Sequence, residues 1–302
     1  MKDFNEIEEI RIENKRKYDQ GKLGLIISLL FIVITIVIVF SQFASSGNFG
    51  AIIPLIFIAF ILGVVGIIFS SIMMNDSKNE FESVVKNQFI NEILKQNFKD
   101  YSYDKNRKIS ISEINNVGLV RKPDRYTGED LIQGSYGSTN FQISDVVLEE
   151  EHTDDKGNTS YVTYFKGKWI IYQLEKNFNN TLKITERTKP SITKGLRKFE
   201  TEMHEFNKKF SIYASDQQFF YYVINAYMID TLLRLEKEHK GRIYYALDNN
   251  KFHVAINDNS DFLKLNIKDP VNMETIKTFE EEISFIKRLV DELKLSDVKF
   301  RK

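Results

Sequence analysis

The sequence predicts an α+β chain in which a two-helix transmembrane hairpin precedes a mixed, mainly antiparallel sheet domain with flanking helices. Two long runs without a charged residue, at 23–40 and 52–74, predict the hairpin. Short alternating apolar segments separated by turn residues, between 139 and 187, predict the sheet. Apolar residues at helical spacing before and after this β-rich stretch predict the flanking helices.

Charge balance and the absence of cysteine exclude several classes of function. Lys plus Arg and Asp plus Glu both number 42, so the formal net charge is zero. A nucleic-acid-binding protein needs surplus basic charge to displace counterions from phosphates, so we expect no nucleic-acid partner. The chain has no cysteine, which excludes disulfides, thiolate metal sites and a cysteine nucleophile. Four prolines and abundant Asn, Lys and Ile indicate a bacterial source with low GC content.

The first apolar run would reach about 27 Å as a helix, roughly the thickness of a hydrocarbon core. A cleavable signal peptide is the alternative for this run, but the run is too long and a second one follows it. The segment between the runs, SQFASSGNFGA at 41–51, is uncharged and contains glycines suited to a turn. Pro54 suits the first turn of the second helix.

Basic residues set the predicted orientation, because the cytoplasmic flanks of membrane spans carry Lys and Arg in excess. The segment 41–51 has none, whereas both outer flanks have several. These are Arg11, Lys15, Arg16, Lys17 and Lys22 before the first span, and Lys78, Lys86 and Lys95 after the second. We therefore predict a two-pass plasma-membrane protein with both termini in the cytoplasm. Its parts are a cytoplasmic segment (1–22), the hairpin (23–74) with an external loop (41–51), and a cytoplasmic α+β domain (75–302).

The N-terminal segment places Phe4, Ile7, Ile10 and Asn14 at helical intervals, with its basic residues towards the first span. One interpretation is a helix lying on an anionic leaflet, where each basic residue contributes about 1 kcal/mol. The other, which the sequence favours, is an ordinary cytoplasmic flank that forms a solvated helix.

Four small residues of the second span, Ala59, Gly63, Gly66 and Ser70, form two pairs spaced by four. Small residues at this spacing allow helix backbones to approach closely in lipid. Packing of the two spans against each other is the favoured use, and a homo-oligomer seam is the other. Neither span contains an ionisable residue, so the hairpin alone predicts no ion or proton pathway.

An amphipathic helix is predicted at 78–98. No Gly or Pro separates it from the second span, so the sequence leaves open whether it continues that span. In the β-rich stretch, apolar residues change parity after Ser144, which predicts a bulge near Asp145. A hairpin turn is predicted at 152–159, and a break at Gly167 before the next strand. Further predicted elements are a strand at 182–187, helices opening at 215–218 and spanning 227–239, a hairpin around 248–250, and a helix at 275–293.

Four motifs that carry chemistry in other proteins receive structural interpretations here. GSYGS at 134–138 lacks basic neighbours and predicts a turn rather than a nucleic-acid clamp. His204 has no second histidine at metal-binding spacing, and NDNSD at 257–261 lacks the Gly and distal Glu of a calcium loop. The aromatic block 219–222 is interpreted as core, with a partner-binding groove as the alternative. We therefore predict no catalytic, cofactor-binding or metal-binding residue.

Four stretches together resemble an uncharacterised family of bacterial two-span membrane proteins with a cytoplasmic domain of unknown function. The stretches are 128–151, 165–178, 199–218 and 239–256, and the resemblance covers roughly residues 20 to 256. The residues that carry it are Glu129, Asp130, Gly134, Phe165, Lys166, Gly167 and the Phe210 to Asp216 segment. The resemblance implies an architecture and no activity, cofactor or catalytic residue.

The preferred function is a membrane-anchored cytoplasmic module that recruits or scaffolds other proteins, so the expected partners are the lipid bilayer and a protein. A sizeable domain without recognisable chemistry or net charge favours it. The alternative is a membrane-tethered enzyme or small-ligand-binding domain whose site is assembled from residues distant in sequence. A transporter subunit is disfavoured, because two uncharged spans would need partners to form a path.

Overall fold

A computed structural model describes residues 4–46 and 53–301, which divide into two compact units. The first unit combines the chain up to Ile90 with the segment Leu265–Ile276. The second comprises Asn91–Lys264 and the chain from Lys277 onwards. Mixed α+β structure, with two long apolar helices ahead of an antiparallel sheet, confirms the predicted fold class.

Two long helices dominate the first unit: α1 (Phe4–Ser46) and α2 (Ile53–Val85). The first six residues of the loop predicted at 41–51 therefore belong to α1, and the prediction for 47–51 lies outside the described residues. A π-helical turn (Lys86–Ile90) and α3 (Asn91–Asn97) follow α2 directly. The helix predicted at 78–98 thus continues the second apolar helix, which settles the question that the sequence leaves open.

Both helices are long and apolar enough to cross a membrane. A core helix of a soluble protein would bury one face, yet these helices expose large apolar side chains in the folded chain. Examples are Val37 (61% exposed), Phe40 (73%), Leu62 (60%) and Phe69 (68%).

Small residues bring α1 and α2 into close contact. A Cβ atom added to Gly63 would lie 2.4 Å from Ile32 Cγ1, and one added to Gly66 would lie 2.4 Å from Ser28 Oγ. Ser70 is buried, and its Oγ would lie 2.6 Å from a Cβ atom at Gly24. Gly63, Gly66 and Ser70 therefore lie between the two helices, as the favoured interpretation of the spacing predicts.

The N-terminal part of α1 differs from both interpretations that the sequence offers. Ile7 and Asn14 are buried, so the segment is not simply solvated. Arg11 donates from Nη1 to the carbonyl oxygen of Ile267 at 2.9 Å, within the same unit. Because α1 is one unbroken helix, this part runs along the same axis as the apolar stretch. A helix lying on a leaflet would instead be roughly perpendicular to that stretch.

In the described chain, the second unit contains one ten-stranded sheet, five further helices, α3 included, and most of a sixth helix, which begins in the first unit at Met273. The elements before the long hairpin are β1 (Tyr101–Asp104), α4 (Ile111–Val117), β2 (Arg125–Thr127) and β3 (Leu131–Tyr136). Then follow β4 (Thr139–Thr153), β5 (Thr159–Gln173), β6 (Thr181–Glu186), β7 (Arg197–Phe199), α5 (His204–Lys209), β8 (Phe210–Ala214), α6 (Gln217–Val223), α7 (Ala226–Glu238), β9 (Arg242–Asp248), β10 (Lys251–Asn257), α8 (Met273–Glu292) and a 3₁₀ turn (Val298–Phe300).

The strand order is β1-β3-β4-β5-β10-β9-β6-β8-β7, with β2 paired to β4, and every pairing is antiparallel. The hairpin turns predicted at 152–159 and around 248–250 are confirmed, and the turns themselves occupy 154–158 and 249–250. GSYGS forms a turn only at Gly137 (φ 60°) and Ser138, because its first three residues belong to β3.

Two predictions about the central hairpin are wrong. The register shift between β4 and β5 falls between Leu148 and Glu149, not near Asp145. Gly167 does not end a strand, because β5 runs unbroken through it. Its φ is 152°, and a Cβ atom there would lie 2.1 Å from the carbonyl oxygen of Ile256, so glycine permits close contact with β10.

The buried apolar residues of β4 change from odd to even positions because both faces of the sheet are covered. No bulge at Asp145 is needed to explain this change. Val146 and Trp169 belong to a core on one face that includes Ile114 of α4. Residues of opposite parity, such as Ile170, are equally buried on the other face. There Tyr172 donates a hydrogen bond to the carbonyl oxygen of Ile286 in α8 at 2.8 Å.

Candidate functional site

An apolar groove lies beside the terminal strand of the sheet, β7, which pairs only with β8 among the described strands. It has a volume of about 310 Å³ and is formed by the loop after β7, the end of α6 and the start of α7. Its principal apolar side chains are Met203, Phe220, Tyr221, Ile224 and Ile229.

Local hydrogen bonds explain why the chain turns here. Asp216 caps α6 by accepting the amide of Phe219 at 2.8 Å, and Asn225 caps α7 by accepting the amide of Met228 at 2.9 Å. With two caps so close in sequence, α6 must end before Asn225. The groove forms at this break between the two helices.

The aromatic block 219–222 is divided between core and surface. Phe219 and Phe220 are buried, whereas Tyr221 is 64% exposed and Tyr222 is 39% exposed. Phe220 stacks on Phe199 of β7, with ring centroids 4.9 Å apart. The core interpretation is therefore confirmed for Phe219 and Phe220, whereas the exposed Tyr221 and Tyr222 leave the partner-binding groove a prediction.

The opposite wall of the groove is held by Asn207 in α5. Its Oδ1 accepts hydrogen bonds from both the amide and the hydroxyl of Thr201, each at 2.9 Å. Its Nδ2 donates to the carbonyl oxygen of Thr201 at 2.7 Å. The loop that carries Met203 is therefore fixed in place, while the Met203 side chain remains 43% exposed.

Acidic side chains border the groove. Glu200 and Glu202 contribute to its lining, and Asp230 follows the lining residue Ile229 in α7. All three acidic residues are exposed. Glu200 lies 3.5 Å from Lys198 and Asp230 lies 3.9 Å from Arg234, so two of the three charges are partly balanced. The groove combines apolar surface with a mildly negative border.

A second feature of the same unit is a cluster of three carboxyl groups, from Glu129, Asp130 and Asp145, with oxygens within 4.8 Å of one another. Both carboxyl oxygens of Asp145 accept the amide of Phe262 at 2.9 Å. Tyr103 donates to Asp130 Oδ1 at 2.5 Å. The pKa of Asp145 is raised to about 8, mainly by burial and to a smaller extent by the nearby acids Asp130, Asp261 and Glu129, while the hydrogen bond from the Phe262 amide lowers it.

Sequence reasoning missed this cluster. Glu129 and Asp130 are more than a dozen residues from Asp145, and the antiparallel path of the chain brings them together: the amide of Asp145 donates to the carbonyl oxygen of Glu129 at 3.0 Å. The sequence does contain one signal for this cluster: Asp145 is an acid within the mainly apolar strand segment ISDVVL. The predicted bulge accounted for that acid in another way.

The four histidines are dispersed among the described residues. His253 is buried and accepts a hydrogen bond from Trp169 Nε1 at 3.3 Å, and burial lowers its pKa to about 3. His239 is packed edge-on against Phe285, whereas His152 and His204 are exposed. None of them belongs to a group that could hold a metal within the described chain.

The polar segment 257–261 does not converge on a common point. Asp258 accepts hydrogen bonds from the amide and hydroxyl of Ser260. Asp261 pairs with Lys166 at 2.7 Å, and this contact raises the pKa of Lys166. These side chains fix a loop.

Comparison with known proteins finds a family model that is similar to part of the chain. Residues 163–295 match a family model described as a protein of unknown function (DUF3137). Three of the four stretches that resemble an uncharacterised family lie inside the match, whereas 128–151 and the apolar helices lie outside it. The DUF3137 match also extends past residue 256, beyond the part of the chain that the resemblance covered.

No curated protein matches the chain. Among solved structures, it is weakly similar to the crystal structure of the mycobacterial trehalose monomycolate transport factor A, TtfA. The TM-score is 0.35 at 9% sequence identity, and the similarity covers 65% of this chain and 93% of that one.

Proposed function

We propose that this protein is a membrane-anchored interaction module with its DUF3137-containing domain in the cytoplasm. The observation that carries the proposal is the exposure of large apolar side chains around both long helices. Exposing so extended an apolar surface to water is energetically unfavourable. The basic residues flanking the apolar runs support a cytoplasmic location for both ends. In this proposal the apolar helices hold the sheet domain at the membrane, and the sheet domain recruits the partner.

The groove beside β7 is the proposed docking surface. Its exposed methionine and tyrosine side chains supply apolar area that adapts to a partner, and its acidic border favours a partner of opposite charge. We expect a protein segment that presents apolar side chains with lysine or arginine beside them.

A photocrosslinking amino acid at Tyr221 of the full chain, in membranes of living cells, tests the docking surface. We expect a discrete adduct whose crosslinked peptide is apolar and basic. The matched position is Tyr161 on β5, another tyrosine with an exposed side chain (42%). Met203→Glu adds charge at an exposed groove position and should abolish the Tyr221 adduct. Equal adducts from both tyrosines, or an adduct that survives Met203→Glu, would count against the groove.

The carboxyl cluster favours the second candidate function, a small-ligand or enzyme site. A buried acid that stays protonated near neutral pH is a common component of ligand and catalytic sites. Calorimetric titration of the purified full chain with divalent cations, compared with Asp145→Asn, tests this candidate. Saturable cation binding that Asp145→Asn abolishes would support a ligand site at the carboxyl cluster. Titrations that show no binding heat for either protein would refute it.

A further inference from the structure

One face of α1 forms a groove of about 510 Å³ that runs up to the first apolar stretch. It lies wholly within the first unit. The residues that line it are Arg11, Ile12, Lys15, Arg16, Asp19, Gln20 and Leu23. Basic side chains therefore meet apolar ones on a single helix face.

The basic residues near this face are not equally available. Arg11 is held by Glu8 at 2.5 Å and by the Ile267 carbonyl. Lys15 lies 3.9 Å from Asp19, a loose contact between exposed groups. Arg16 and Lys22 are exposed and form no ion pair with any residue that the structure describes. Among the lining residues, Arg16 is thus the cation without an ion pair, and it lies near the middle of the groove, between Arg11 and Leu23.

The spacing along the helix suits the edge of a bilayer. Arg16 precedes Leu23 by seven residues, about 10 Å at 1.5 Å per residue. Headgroups extend roughly 5–8 Å beyond each side of the hydrocarbon core, and a long arginine side chain covers the remaining distance. Leu23 (58% exposed) and Ile27 (57% exposed) continue the same face one helical turn apart into the apolar stretch.

We propose that this face binds one anionic glycerophospholipid of the inner leaflet. Arg16 and Lys15 bind the phosphate, for which a guanidinium group provides paired donors. Asp19 and Gln20 accept hydrogen bonds from headgroup hydroxyls, and Leu23 with Ile27 contacts an acyl chain. The inference rests on the proposed function, because it requires the apolar helices to lie in a membrane.

Native mass spectrometry of the full chain in detergent, titrated with phosphatidylglycerol or with phosphatidylcholine of the same acyl chains, tests the proposal. We expect tighter binding of phosphatidylglycerol, with about a fivefold loss of affinity for each basic residue removed. The double variant Lys15→Gln/Arg16→Gln should therefore lose roughly 25-fold. Arg16→Lys alone keeps the charge but loses the paired donors, so it should lose less affinity than Arg16→Gln and more than none.

The matched control is Lys17→Gln/Lys78→Gln, which removes the same charge from lysines that pair with Glu13 and Glu82. Equal losses in both double variants would show diffuse attraction and would overturn a defined site, as would equal affinity for the two lipids. A second measurement asks whether the chain stays in phosphatidylcholine vesicles after an alkaline wash, and it distinguishes the lipid site from the membrane anchor. A retained chain without lipid preference refutes the lipid site alone, and a chain that washes off refutes the membrane anchor as well.

Discussion

Asp145 is an acid buried between two strands and a loop, and its titration has a predictable sign. Burial raises its pKa from 3.8 to about 8. Between these two values the folded chain binds a proton that the unfolded chain releases, so the free energy of unfolding falls as the pH rises from 4 to 8. Each pH unit in this window removes up to about 1.4 kcal/mol.

Chemical denaturation of the full chain across pH 4 to 8 measures this slope. Asp145→Asn keeps an oxygen for the Phe262 amide and cannot ionise, so its slope should be flatter than that of the wild type. Asp155→Asn, in the turn between β4 and β5, is the control and should follow the wild type. Identical slopes for the wild type and Asp145→Asn would show that Asp145 is already ionised at neutral pH.

Gly167 and Gly157 form a natural pair for testing close backbone contact. A Cβ atom on Gly167 would lie 2.1 Å from the Ile256 carbonyl oxygen, whereas one on Gly157 meets nothing within 4 Å. Both have positive φ, so both alanine variants have a backbone cost of about 1–3 kcal/mol. Gly167→Ala should lose at least a further 1 kcal/mol in urea denaturation, because β5 must move away from β10. Equal losses would mean that the strands separate freely.

These residue properties were only partly predictable from the sequence. A glycine between strand-forming residues suggests a break, and the alternative of a tight strand pairing needs the position of β10. The same holds for Asp145, since its burial depends on Phe262, more than a hundred residues away. Alternation along one strand does not show whether the second face of the sheet is covered.

At the scale of elements, patterns of sufficient length were reliable. The apolar runs, the hairpin around 248–250 and the helix near 275–293 all correspond to observed elements. Short strands such as β2, β7 and β8 have three to five residues, too few for alternation to be distinguished from chance. Their place in the sheet depends on long-range pairing, as does the groove that β7 borders.

The seam between α1 and α2 carries a prediction at this scale. Gly66→Val places a branched side chain against Ser28, so we expect the full chain in detergent to lose about 1–3 kcal/mol of stability, seen as a lower melting temperature. Ser71→Val, on an exposed face of α2, is the matched control. If these small residues instead formed a homo-oligomer seam, Gly66→Val would reduce the oligomer mass and leave the melting temperature unchanged.

At the scale of the whole molecule, the position of both chain ends relative to the membrane decides where the groove can act. The chain has no cysteine, so single substitutions at Ser46, the last residue of α1, and at Val298, which is 86% exposed, report each side separately. We expect a membrane-impermeant thiol reagent on intact cells to label the first position and not the second. Permeabilised cells should allow labelling of Val298→Cys, which controls for its reactivity.

The reverse pattern would have a specific physical meaning. Labelling of Val298→Cys alone on intact cells would place the sheet domain outside, in conflict with the Lys and Arg excess in the outer flanks of the apolar runs. The groove beside β7 would then face the cell envelope, and its acidic border would select basic groups there. The anionic lipid bound by Arg16 would belong to the outer leaflet. Labelling of Ser46→Cys alone keeps the groove, the lipid site and the proposed partner on the cytoplasmic side.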